Sequence, residues 1–181
     1  MTGQRPLTDM PRSIFLIGRD HRTLETLRRG LGGEVKPGPV EAQTFPLATA
    51  IVSPANAYGW MDGGIDSAYV TMFGNQIERR VQQEMHRLYG TDPLAGTNGM
   101  PLGEAFVIRT YPEGIAIPAG KPEWLIVAPT MIRPGRELAQ GFARPAATPD
   151  VAAKAIEAAL RVAVEAGIDR IAIPGMGMGT A

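Results

Sequence analysis

Two polar residues ten positions apart, Asn56 and Asp66, frame the stretch of this sequence best suited to chemistry. An asparagine amide both donates to and accepts from hydroxyls, which suits a sugar. A carboxylate at the start of a helix either orients a water for reaction or simply stabilises the helix N-terminus. Between the two lie Asp62, Gly63 and Gly64. The glycines, lacking Cβ, let the backbone approach a ligand and adopt positive φ. A second glycine run, Gly175-Met176-Gly177-Met178-Gly179-Thr180, has the same freedom. Neither segment contains Lys or Arg, so an anion held here needs backbone N–H groups and a helix N-terminus. Such a terminus contributes about 0.3–1 kcal/mol, up to ~2 when partly buried. Micromolar affinity, roughly −8 kcal/mol, therefore takes several N–H bonds, and two facing glycine loops supply them.

Each feature also has a plain structural explanation. Glycine-rich loops after strands are usually turns, and capping alone accounts for an acid in the position of Asp66. The second run contains the Gly-x-Gly-x-Gly of a dinucleotide fingerprint. No helix follows it, however, and no acid stands about 20 positions on, so a nicotinamide-dependent oxidoreductase rests on that run alone.

The elements that must carry these loops read as alternating strands and helices. Apolar runs at 13–17, 48–52, 105–109, 124–128 and 170–173 predict strands. Asp20 caps a predicted helix bearing Leu24, Leu27 and Leu31. From Ile65 the apolar residues Ala68, Tyr69, Met72 and Phe73 follow helical spacing up to Gly74. Asn75 and Glu78 have capping-box spacing before a helix with the stripe Ile77, Val81, Met85 and Leu88, closed by Gly90. Thr148 and Pro149 open the clearest helix, 149–166, which Gly167 ends. The stretch 133–147 shows no periodicity. This alternation predicts a three-layer α/β/α domain over 13–181, behind a polar, proline-punctuated leader at 1–12. Ligands bind outside the carboxyl ends of strands in such sheets, and both glycine loops follow strand ends.

Composition narrows the rest. In 181 residues, 44% hydrophobic and 20% charged, there is material for one well-packed soluble domain. Lys plus Arg and Asp plus Glu balance at 18 each, so no net charge steers the chain to nucleic acid or an anionic membrane. Cysteine is absent, which removes disulfides, thiolate metal sites and cysteine nucleophiles and suits a reducing cytoplasm. No apolar run approaches the roughly 18 residues of a membrane span, and no His, Asp and Glu cluster has metal spacing. His21 and His86 read as surface residues, Trp124 as core, and Trp60 as a flank of the ligand loop.

Ile51-Val52-Ser53-Pro54-Ala55-Asn56, followed by Gly63-Gly64-Ile65-Asp66 and Phe73-Gly74, resembles the macro-domain signature. In that family a buried strand leads to an Asn-Ala-Ala-Asn loop, a glycine run, a Val-Asp pair and an Ala-Gly-ended helix. Residues 171–179 resemble its second loop, which wraps a diphosphate. The resemblance implies a mixed central sheet, binding of ADP-ribose or an ADP-ribosylated substrate, and no cofactor. It implies catalytic roles for Asn56 and Asp66 in hydrolysing ADP-ribosyl esters or O-acetyl-ADP-ribose. Ser53, Ala55 and Asn56 then line the distal ribose, while Gly63, Gly64 and Ile65 meet the phosphates. Gly175, Met176, Gly177, Met178, Gly179 and Thr180 cover the diphosphate, and Glu41 falls near the adenine-binding acid. Several positions depart from the pattern. Ser53 and Pro54 replace Asn-Ala, Asp62 stands where a third glycine is usual, and Gly177-Met178 replaces Ser-Thr. The chain also stops at Ala181, short of the family's final helix. These departures imply either a truncated sequence or a divergent member of the phage or bacterial kind. They leave open a second function, a non-catalytic reader or a phage accessory module on the same fold.

Overall fold

A computed structural model describes residues 11–18, 34–37, 48–132 and 148–176. Six strands form one sheet: β1 (Ser13–Gly18), β2 (Glu34–Pro37), β3 (Ala50–Ser53), β4 (Phe106–Arg109), β5 (Trp124–Val127) and β6 (Arg170–Pro174). Their spatial order is β2-β1-β6-β3-β5-β4. All neighbours run parallel except the edge pair β4 and β5, so the sheet is mixed as expected. The helix predicted after Asp20, the irregular stretch 133–147, Glu41 and residues 177–181 lie outside the described residues.

Alternation along the strands divides the core into two layers. Ile51, Leu125, Val127 and Ala172 point to one face, where they meet α1 (Gly64–Phe73) and α2 (Gln76–Tyr89) through Tyr69, Phe73, Ile77, Val81 and Met85. Ala50, Val52, Ile126, Ile171 and Ile173 point to the other, against α3 (Pro149–Glu165). The buried side of α3 is Ala155, Ala158, Ala159 and Ala163, so this helix lies close on the bulky strand residues beneath it. These are the three layers predicted from the alternating pattern. No helix among the described residues is long and apolar enough to cross a membrane.

Local signals at helix ends mostly hold, with two corrections. Thr148 caps α3, accepting from the Val151 N–H at 3.3 Å, with proline in the first turn. Gly90 ends α2 in the left-handed conformation, φ 67°. The Asn75–Glu78 capping box does not form: Asn75 is already helical, and the Glu78 carboxylate instead accepts from the Met61 N–H at 2.9 Å. Leu88 is 41% exposed and outside the core. Ile77, Val81 and Met85 advance by four residues, and the next step on that path is Tyr89, which packs against the same cluster. Trp124, expected in the core, is half-buried, with the Arg109 guanidinium 5.6 Å from its ring centre.

Replacing Thr148 by Ala removes the cap of the helix that packs on the Ala50 and Ile126 side of the sheet. A loss of about 0.5–2 kcal/mol in urea unfolding is expected, with the native fold retained.

Candidate functional site

The parallel strands β1, β6, β3 and β5 all end on the same side of the sheet, and β6 lies directly between β1 and β3. The loops leaving β3 and β6 therefore emerge side by side, although more than a hundred residues separate them in sequence. Gly175 donates to the Ile17 carbonyl at 3.2 Å, fixing the start of the second loop to the end of β1. Met176 is buried in the α3-side core, so its backbone, not its side chain, borders the loop junction.

The first loop is held along its whole length. Its opening continues the β-ladder past Ser53: Ala128 donates to Ser53, Thr130 to Ala55, and Ala57 to Met131, at 3.0, 3.2 and 2.9 Å. Thr130, fully buried, adds a hydroxyl bond to the Pro54 carbonyl. The segment after β5 is thus a third wall, one that no motif in the sequence announced. Asn56 is buried and organises the turn behind it. Its Oδ1 accepts from the Tyr58 and Trp60 N–H groups at 3.0 and 3.3 Å, and its Nδ2 donates to the Trp60 carbonyl at 2.7 Å. An amide carbonyl has two acceptor sites and an NH2 two donors, so one N–H remains for another partner.

Helix α2 grips the same loop from outside. Glu78 takes the Met61 N–H, and Gln82 donates to the Gly59 carbonyl at 3.4 Å. At Gly59, φ is +73°, and a Cβ would stand 3.0 Å from Met85 Sδ and 3.1 Å from Val81 Cγ1. Glycine is required there both by conformation and by space.

The loop delivers the chain to α1 through Gly63, extended, and Gly64, at φ +58°. Both are exposed, and no side chain caps the helix, so its first N–H groups have no side-chain partner. Asp62 just before them is exposed to water. Asp66, by contrast, turns inward. It does not cap α1: it is 8% exposed, and its Oδ1 accepts from the Ser53 hydroxyl at 2.6 Å. Beside it Tyr69 donates from its hydroxyl to the Val52 carbonyl at 3.0 Å. Burial pushes the Asp66 carboxyl up to about 7; the Ser53 bond pulls against that rise and the Asp62 charge adds to it. Burial, and then the Asp66 charge, raise Tyr69.

The structure thus brings Ser53, Ala55, Asn56, Gly63, Gly64, Ile65, Asp66, Gly175 and Met176 to one end of the sheet. Sequence reading missed the 128–132 segment, Glu78 and the Ser53–Asp66 bond. Only the glycine density of the loop signalled that its backbone was constrained. A separate 400 Å³ groove lies along the outer side of α2, lined by Arg79, Gln83, His86 and Asp92 among others.

A family model described as Macro domain matches residues 52–181. An uncharacterized protein of Aeropyrum pernix is 34% identical over 151 residues, which is 82% of this chain and 64% of that relative. The chain therefore spans just under two-thirds of that relative's length. Among solved structures, the macrodomain of Mycobacterium tuberculosis DarG superposes with a TM-score of 0.54 at 18% identity, over 78% of this chain and 74% of that one. A mutant of the Oceanobacillus iheyensis macrodomain with ADPR gives 0.52 at 18% identity, over 97% and 70%. At these identities the likeness is one of fold.

Two measurements check the site's physics. Gly59→Ala adds a strained Cβ against Met85 and is expected to lower stability by about 1–3 kcal/mol in chemical unfolding. The second concerns pH. With Asp66 at about 7 folded against 3.8 as its ordinary value, the folded chain keeps a proton that the unfolded chain has released. The stabilisation is complete below the lower value and is lost as pH rises through the upper one. Its slope approaches ~1.4 kcal/mol per pH unit. Relative to wild type, Asp66→Asn is expected to flatten stability over that window and to be the more stable protein at about pH 8.

Proposed function

The chain belongs to the macro-domain family, and from that premise we propose that it binds ADP-ribose, or a close nucleotide relative, between the loops that leave β3 and β6. The observation that carries this is the uncapped N-terminus of α1, at the exposed Gly63 and Gly64 beside the loop after β6. A helix start without a side-chain partner retains free N–H donors and a favourable field for a diphosphate. Gly63, Gly64 and Ile65 contact the phosphates through the backbone, and Gly175 and Met176 approach from the other side. By the family resemblance, Gly177, Met178, Gly179 and Thr180 are assigned to the diphosphate and Glu41 to the adenine. Ala55 and the remaining N–H of Asn56 face the distal ribose. The Oceanobacillus iheyensis macrodomain solved with ADPR supports the choice of ligand by analogy of fold.

Hydrolysis of ADP-ribosylated carboxylates or of O-acetyl-ADP-ribose is the activity we assign to Asp66. A carboxyl at about 7 is poised to take a proton from water near neutral pH, where a carboxylate at its ordinary 3.8 is a much weaker base. Binding energy comes from the backbone, so recognition and turnover separate. A second reading, a non-catalytic reader, is favoured by one observation. Asn56 already commits its carbonyl and one N–H to the loop, which leaves it fewer bonds to strengthen in a transition state.

Calorimetry with ADP-ribose tests the binding claim; absence of heat at high micromolar ligand would sink it. Asn56→Ala is expected to weaken binding by about 1–3 kcal/mol, through lost ribose bonds and a loosened loop. Asp66→Ala is expected to abolish release of ADP-ribose from an ester substrate while leaving most of the binding. Undiminished release in that variant removes Asp66 from the mechanism, and no release by wild type selects the reader.

A further inference from the structure

The Ser53–Asp66 contact has a direction, and the direction has a consequence. Ser53 Oγ receives the Ala55 N–H at 3.3 Å, so one of its acceptor positions is occupied by the backbone. Its own hydrogen goes to Asp66 Oδ1 at 2.6 Å, and both residues are buried. The chain of donors therefore runs one way, from Ala55 N–H to Ser53 Oγ–H to Asp66 Oδ1. Among the described residues the Ser53 hydroxyl has no second acceptor to turn to. An oxygen that already receives a short hydroxyl bond is the poorer place for a proton. Asp66 Oδ2 has no partner among the described residues, and the residue as a whole is 8% exposed.

We propose that Ser53 is the positioning residue for Asp66, holding Oδ1 as a permanent acceptor so that Oδ2 alone exchanges the proton and meets water or ligand. Serine gives a single donor whose polarity the backbone sets. Ser53 acts through Asp66 and touches no reacting atom. The upward push of burial on Asp66 and the opposing pull of Ser53 fit this role. The functional half of the proposal rests on the ligand reading above; the coupling between the two side chains does not.

The test separates the two. In the ligand-free full chain, carboxyl carbon-13 resonances are titrated, with the Asp66 signal assigned by its loss in Asp66→Asn. Wild type should titrate near neutrality, and Ser53→Ala should titrate at higher pH because the bond favouring the ionised form is gone. Ser53→Thr, which restores the hydroxyl, should return the midpoint toward wild type. If Ser53→Ala does not fold, Ser53→Cys replaces it, its weaker S–H donor giving a midpoint above that of wild type. Calorimetry of ADP-ribose binding against pH is run on the same proteins, and its pH dependence should move with the midpoint. An unmoved or lowered midpoint in the variant lacking the hydroxyl overturns the proposal, whatever the ligand does. A raised midpoint in a protein that binds no ADP-ribose keeps the coupling and discards the ligand reading. Normal ADP-ribose binding with an unmoved midpoint does the reverse.

Discussion

The central constraint is the position of β6. This strand, formed by residues 170–174, lies between β1 and β3 and pairs in parallel with both. Parallel neighbours need crossovers, so the segments between them must wrap over the sheet faces, and the helices that bury the two faces follow from that. The same placement sets two glycine loops next to each other at the carboxyl ends of adjacent strands. A ligand crevice at such a place needs no special residue to create it. What the side chains add is fixation: the Asn56 amide, Glu78, Gln82 and the 128–131 ladder each remove a freedom from the loop after β3.

The charges around the proposed anion site are all acidic. No Lys or Arg occurs between Ser53 and Asp66, while Asp62 and Asp66 do, and Glu78 reaches in from α2. Each carboxyl is made compatible in a different way. Asp62 stays in water, where screening weakens its field. Glu78 spends charge on a backbone N–H. Asp66 retains a proton up to about neutral pH because burial makes the charged form costly. The nearby acids are thus neutralised, bonded or solvated, which leaves peptide dipoles as the source of attraction in the proposed anion site.

Much of this was legible in the sequence, and the failures have physical causes. Continuous apolar runs gave five of the six strands but not β2, Thr148-Pro149 gave the start of α3, and the glycine pair before Ile65 placed the start of α1. Such signals are local, carried by the residues that adopt the conformation. Asp66 was visible as an acid at a helix start, but its partner Ser53 stands thirteen positions earlier, across a loop whose path no pattern specifies. Glu78 had the right spacing for Asn75 and was claimed by Met61 instead, because a buried N–H in the loop costs more unpaired than one at an exposed helix end. Leu88 lies in the last turn of α2, where it is exposed and Tyr89 packs on the core in its place. Strand order was beyond local reading altogether: nothing within residues 170–174 says which neighbours they join.

The location of β6 also bears on how the chain is made. Synthesis delivers β1 and β2, then β3, β4 and β5, and only afterwards the strand that unites them. Until then, β1 and β3 each lack the parallel partner that joins them in the folded sheet. The contacts that close them span more than a hundred residues, as in the Thr49 N–H to Arg170 carbonyl bond. Loop-closure entropy delays such pairing, and exposed edges invite association meanwhile. The pairing of β6 with its two neighbours is therefore expected to be the slow step of folding, and the one most open to association.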